Sequence, residues 1–229
     1  MENYTPMSDT IRSFFTSVFG WMAAGLSVTA ATAWYLSDAH PEMAVALLQN
    51  PMLSIVFFLI QLGLVLGLSV ALLRLSFGVA LSMFLLYAFL NGITLSFIFL
   101  AYTQESIALT FGIAAAMFLA MAVFGAVTRI NLTAVGTFSM MALFGIIIAS
   151  LANLYFQSSM LNFIISVIGV FVFSALTAYD MQRLTGLAIQ LQGRTYERGQ
   201  IALLGALMLY LDFINLFLML LSFTGKHRE

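Results

Sequence analysis

Two carboxylates lie inside or at the end of apolar runs of this chain. Asp212 stands in the middle of LMLYLDFINLFLML, Leu207 to Leu220, and Asp180 stands in LTAYDMQRL, Leu176 to Leu184. A charged aspartate at a bilayer centre costs about 2.5–3.5 kcal/mol on insertion scales, so such a residue turns inward, pairs or takes a proton. Burial disfavours the charged form, and two neighbouring carboxylates cannot both ionise cheaply. A pair of this kind shares one proton and responds to pH. Tyr179 and Asn215 are the supporting polar side chains nearby. Arg74, which ends an earlier apolar run, is the available counter-charge. It would bridge to Asp180 or Asp212 when they are ionised and let go when they take up a proton. Plainer readings stand beside these. Asp180 would pair with Arg183 at i,i+3. Asp212 would be capped by Asn215 and neighbouring hydroxyls, and Arg74 would anchor its helix at the headgroups.

The elements that carry these residues are membrane helices. Hydrophobic residues make up 62% of the 229, charged residues 7%, and mean hydropathy is +1.06. A soluble domain carries roughly a quarter charged residues, so there is too little charge here to cover a water-facing surface. A net charge of −1 argues for no nucleic-acid partner. With no cysteine there are no disulfides and no thiolate chemistry. His40 and His227, the two histidines, fall in loop or tail, which makes a histidine-rich metal site a poor expectation. The lone lysine, Lys226, lies in the tail, so a retinal Schiff base has no place to form. The first apolar run lacks a small-residue cleavage site and reads as a retained helix.

A span needs about 20 apolar residues, and seven runs qualify: Ser17–Leu36, Met52–Leu73, Phe77–Leu100, Ile107–Val127, Ala134–Phe156, Leu161–Tyr179 and Ile201–Phe223. The fold class is an all-α integral membrane protein, read as one domain over 1–229. It has an N-terminal segment 1–16, a polar connection 181–200 and a short tail 224–229. Arg12, Arg74, Arg129, Arg183, Arg194 and Arg198 fall on the side of the N-terminus; only Lys226 and Arg228 fall on the other. The excess of basic residues marks the cytoplasmic side, so the N-terminus is expected inside and the tail outside. The connection MQRLTGLAIQLQ puts Leu184, Leu187, Ala188 and Leu191 on one helical face, either as a continuation of the sixth span or as an interfacial helix. Asp212 lies 11 residues after Ile201, about 17 Å into its helix. Asp180 lies near the cytoplasmic end of its own helix. The two meet only if the seventh helix starts well out in the cytoplasm or is tilted. Gly63 and Gly67 form a G-x-x-x-G pattern suited to helix packing.

LTAYDMQRL and LYLDFINLF, with GWMAAGLSVTA (Gly20–Ala30) and NGITLSFIF (Asn91–Phe99), resemble the bacterial branch of the Bax-inhibitor, or transmembrane Bax-inhibitor-motif, family over nearly the whole chain. The resemblance implies six helices surrounding a central seventh. It also implies a proton-sharing, pH-sensing pair at Asp180 and Asp212, with Arg74 as the matching basic residue of the second span. It implies a pH-sensitive calcium leak channel, or alternatively a protein that binds membrane proteases or stress-response partners. Gln61 is the nearest polar residue where an acidic partner for Arg74 would stand in the second span, and 32 positions lie from Asp180 to Asp212. The tail is short compared with animal relatives.

Three functions compete on these residues. As a channel, Asp180 and Asp212 would attract Ca²⁺, a hard cation that prefers oxygen. Two carboxylates suit transient binding and passage rather than storage. As an enzyme, Tyr179-Asp180 has the look of an intramembrane aspartyl protease, in which paired carboxylates activate water. Asp212, however, follows LYL rather than Gly-x-Gly, and no Pro-Ala-Leu segment comes after it, so no enzyme and no cofactor are expected. As an interaction protein, the chain would use loops or termini and need the aspartates only for folding. The lack of eukaryotic retention signals and the short tail point to a bacterial inner membrane.

Overall fold

The structure, a computed structural model, describes residues 6–190 and 195–226. Arg194, His227 and Arg228 lie outside the described residues, as does the side chain of Arg198. The described residues form eight α-helices and no strand: α1 (Pro6–Ala39), α2 (Pro41–Gln49), α3 (Pro51–Ala71), α4 (Phe77–Ala101), α5 (Gln104–Val127), α6 (Thr133–Phe156), α7 (Ser159–Gln190) and α8 (Thr195–Thr224). A single 3-10 turn, Leu72–Arg74, follows α3. Seven of the helices, all but α2, are long and apolar enough to cross a membrane.

Local chemistry sets several of the boundaries. Asn50 caps α3 by accepting from Leu53 N at 3.2 Å, with Pro51 in the first turn. Thr103 caps α5 by accepting from Ser106 N at 3.3 Å. Gln157 ends α6 in the left-handed region, at φ 49°. Two elements differ from the expected ones. The loop expected at His40 leads directly into the short helix α2, because Pro41 opens it and Glu42 sits at its positive end. The polar connection takes the first of its two expected forms: α7 runs on to Gln190, burying Leu184 and Ala188 on the expected face, while Leu191 lies outside the described residues. And α8 begins at Thr195, six positions before the apolar run does.

Contacts divide the chain into two units. The first holds α1 to α4, with Ala188–Leu207. Here α1 packs along α4. Its buried stripe, Phe14, Val18, Met22, Thr29, Ala33 and Leu36, repeats at close to the helical period. Thr29 Oγ1 donates to the Ala88 carbonyl at 2.9 Å. Gln200, buried in the first turns of α8, donates to the Leu75 carbonyl at 2.7 Å and so fixes the turn that carries Arg74.

The second unit holds Thr103–Leu187 and Met208–His227, hence α5, α6, most of α7 and the second part of α8. Phe213 of α8 meets Phe111 and Phe118 of α5 edge-on, at 5.2 and 5.6 Å between ring centres. α8 is buried more completely than any other span, with 67% of its most apolar stretch covered against at most 44% elsewhere. A helix apolar all round needs such cover.

Candidate functional site: two aspartates on antiparallel helices

Asp180 and Asp212 both belong to the second unit, on α7 and α8. Side-chain contacts give the register of these two helices. Ser166 Oγ bonds Ser222 Oγ at 3.0 Å, and Gly169 faces Met219. Continued by the same steps, that register sets Leu176 opposite Asp212 and puts Asp180 one turn, about 6 Å, further on. Side chains tilt toward the N-terminus of their own helix. On antiparallel helices the two aspartates therefore lean toward each other and narrow that offset. An early start of α8 was one of the two arrangements under which the sequence allowed the pair to meet, and α8 starts at Thr195.

Asp212 is 6% exposed, and its Oδ2 has no hydrogen-bond partner. The other buried side-chain oxygen without one, among the described residues, is Ser174 Oγ. Ser174 precedes Leu176 by two positions on the facing helix. Asn215 does not cap Asp212: its Nδ2 donates to the Leu211 carbonyl at 2.7 Å. Asp180 is half-buried. It forms no ion pair with Arg183, because the one ion pair among the described residues joins His40 and Glu42 at 3.0 Å. Arg74 is exposed, belongs to the first unit and forms no ion pair with any of the described residues. Among the described residues no group of three or more His, Cys, Asp or Glu side chains gathers into a metal site.

The segment Ala178–Gln182 that carries Asp180 is gripped from three directions. At Gly125 of α5, an added Cβ would collide with the Ala178 carbonyl oxygen, so the two backbones touch there. At Gly136 of α6, an added Cβ would collide with the Tyr179 ring. Between those glycines runs the α5–α6 connection, which Gln182 clamps. Gln182 Oε1 accepts from Leu132 N at 2.9 Å, and Gln182 Nε2 donates to the Ile130 carbonyl at 2.8 Å. The side-chain amide thus pairs with the connection as a strand neighbour would. Sequence reading missed Gln182, Gly125 and Gly136. A glutamine two positions after an aspartate was the visible cue for the first. The glycines gave none, since their partners lie more than 40 positions away.

An arrangement of this kind can hold a proton between two carboxyl groups. Ionising both at once sets like charges against each other where one is cut off from water. Protonating one gives an O–H donor and removes the repulsion.

The family model described as "Inhibitor of apoptosis-promoting Bax1" matches residues 11–229. An uncharacterized protein of Borreliella burgdorferi is 47% identical, over 95% of this chain and 94% of its own length. The inner membrane protein YbhL of Escherichia coli is 43% identical, over 97% of this chain and 98% of its own. An uncharacterized membrane protein of Streptococcus pyogenes is 36% identical, over 98% and 97%. With seven membrane-crossing helices and a match over almost its entire length, this chain belongs to the Bax-inhibitor family of integral membrane proteins.

Proposed function

We propose that the protein is a pH-sensitive cation leak channel, with calcium as its cargo, gated by proton sharing between Asp180 and Asp212. The observation that carries this reading is the pair itself. Two carboxylates lie one turn apart in the register of adjacent antiparallel helices, one of them buried with an oxygen that no protein donor satisfies. As pH falls the pair gains a proton and loses its mutual repulsion; as pH rises both ionise and the facing stretches of α7 and α8 are pushed apart or recruit a cation. Oxygen ligands suit Ca²⁺, and a site of only two carboxylates releases the ion as readily as it takes it. Arg74 is the proposed counter-charge on the strength of the sequence. No catalytic chemistry is assigned to the pair. The arginine distribution supports a cytoplasmic N-terminus, and the likeness to an inner membrane protein supports a bacterial inner membrane.

The test is calcium flux into liposomes holding the purified protein, from about pH 5 to about pH 8, where carboxylates perturbed by burial titrate. Asp180→Asn and Asp212→Asn are expected to flatten the pH profile, each by itself. Arg74→Gln is expected to raise the leak at the upper end of that range. Flux no greater than in empty liposomes, with every variant folded, would overturn the channel in favour of a protein that binds or inhibits a membrane protease or stress-response partner.

A further inference from the structure

The Thr103 end of the second unit carries a cavity of about 170 Å³, against the roughly 10–15 Å³ that one water requires. It lies between the first turns of α5 and the end of α8, and none of the residues discussed for the aspartate pair lines it. One wall is built of hydroxyls. Ser106 and Thr110 are buried there, and Thr110 Oγ1 stands 3.4 Å from Thr224 Oγ1. The chain beyond α8 is pinned to the rim. Lys226 N donates to Ser106 Oγ at 3.0 Å, and its carbonyl accepts from Thr103 N at 3.1 Å. That fixes where the lysine side chain leaves the backbone.

Glu105 and Lys226 line this one cavity with opposite charges. Both are exposed, and no ion pair joins them. Opposite charges set around a space that neither fills suit a ligand carrying both signs. The remaining side is apolar: Leu109 and Ile113, one turn apart on α5, are 68% and 39% exposed within a membrane-crossing helix. The space is therefore polar and doubly charged at one side and opens along an alkyl strip at the other.

We propose that this cavity binds the headgroup of a phospholipid that carries a primary ammonium and a phosphate. The ammonium lies on Glu105 and the threonine hydroxyls. The phosphate lies on Lys226, at the positive end of α5, and an acyl chain runs along Leu109 and Ile113. The positive end of a helix favours an anion, which adds to the lysine and leaves the carboxylate as the one group for the cation. A primary ammonium donates three hydrogen bonds. A quaternary ammonium donates none, and a glycerol headgroup has no positive charge to offer. The site is independent of the channel reading.

The experiment is native mass spectrometry of the full-length protein, released from detergent with phosphatidylethanolamine, phosphatidylcholine or phosphatidylglycerol added at equal concentration. Phosphatidylethanolamine is expected to be retained several-fold more than the other two. Glu105→Gln is expected to abolish that preference, and Lys226→Gln to weaken retention of every phospholipid. Both side chains are exposed, so unfolding temperatures should stay unchanged; Thr110→Val, inside the cavity, provides a second route to the same loss. Equal retention of the three lipids overturns the proposal, and so does a preference that survives Glu105→Gln. Soluble glycerophosphoethanolamine is added as a competitor. Displacement of the lipid at matching concentration overturns the lipid as the source, while failure to displace it supports the alkyl strip as part of the site.

Discussion

Gln182 sits two positions beyond Asp180 and spends both ends of its amide on the α5–α6 connection. Replacing it with alanine leaves the buried Leu132 without its backbone N–H acceptor. Two hydrogen bonds at roughly 0.5–1.5 kcal/mol each put the expected loss at about 1–3 kcal/mol. Hydrogen exchange should locate it, with the Leu132 amide exchanging faster and the amides in the middle of α5 unchanged. Gly125 gives a second prediction at this scale. Its Cβ has no room against the Ala178 carbonyl, so Gly125→Ala should cost about 1–3 kcal/mol, as overpacked sites do, read as a lower unfolding temperature in detergent. Gly112, on the same helix with open space around it, should accept alanine without loss. The aspartates were legible in the sequence because a carboxylate in an apolar run has few explanations. The glycines were not, because their reason for being glycine is a backbone on another helix. Asn215 misled for a related cause: its own helix offers the Leu211 carbonyl at closer reach than Asp212.

The helices themselves were largely legible, since apolar runs of twenty residues leave little choice in lipid. Where expectation and structure part, the polar stretches decided. α2 is nine residues long and too short to announce itself by periodicity. What holds it is local: Pro41 in the first turn and the His40 ring 3.0 Å from Glu42. A backbone N–H of that turn, then the His40 ring, hold the Glu42 carboxyl below its usual value of 4.5. A carboxyl lowered on folding stabilises above its unfolded value and loses that contribution as pH falls through the folded one. The first turn of α2 should therefore loosen only below about pH 4.5. Amide exchange at Met43 and Ala44 would follow it, and an unchanged first turn in acid would show that the proline alone suffices. The start of α8 was misjudged for another reason, while the continuation of α7 was one of the two forms expected. Both helices outrun their apolar stretches, and Leu184 and Ala188 are buried by protein rather than by lipid.

The absence of cysteine makes the orientation of the whole molecule directly testable. α5 has 24 residues, about 36 Å of helix, which exceeds the roughly 30 Å of hydrocarbon. Its two ends thus emerge on opposite sides. Ile130→Cys should react with a membrane-impermeant maleimide only from the cytoplasmic side and Gln104→Cys only from the other; the reverse pattern would invert the topology drawn from the arginines. The order of synthesis also bears on Asp212. α8 leaves the ribosome after α1 to α7 and carries a carboxylate in its apolar core. Entering lipid alone, it would meet the full insertion penalty of an aspartate. Its partners in the second unit, α5 and α7, are made before it, so the face that receives Asp212 is already in the membrane when the helix arrives. Its insertion is then a docking onto protein rather than a partition into lipid.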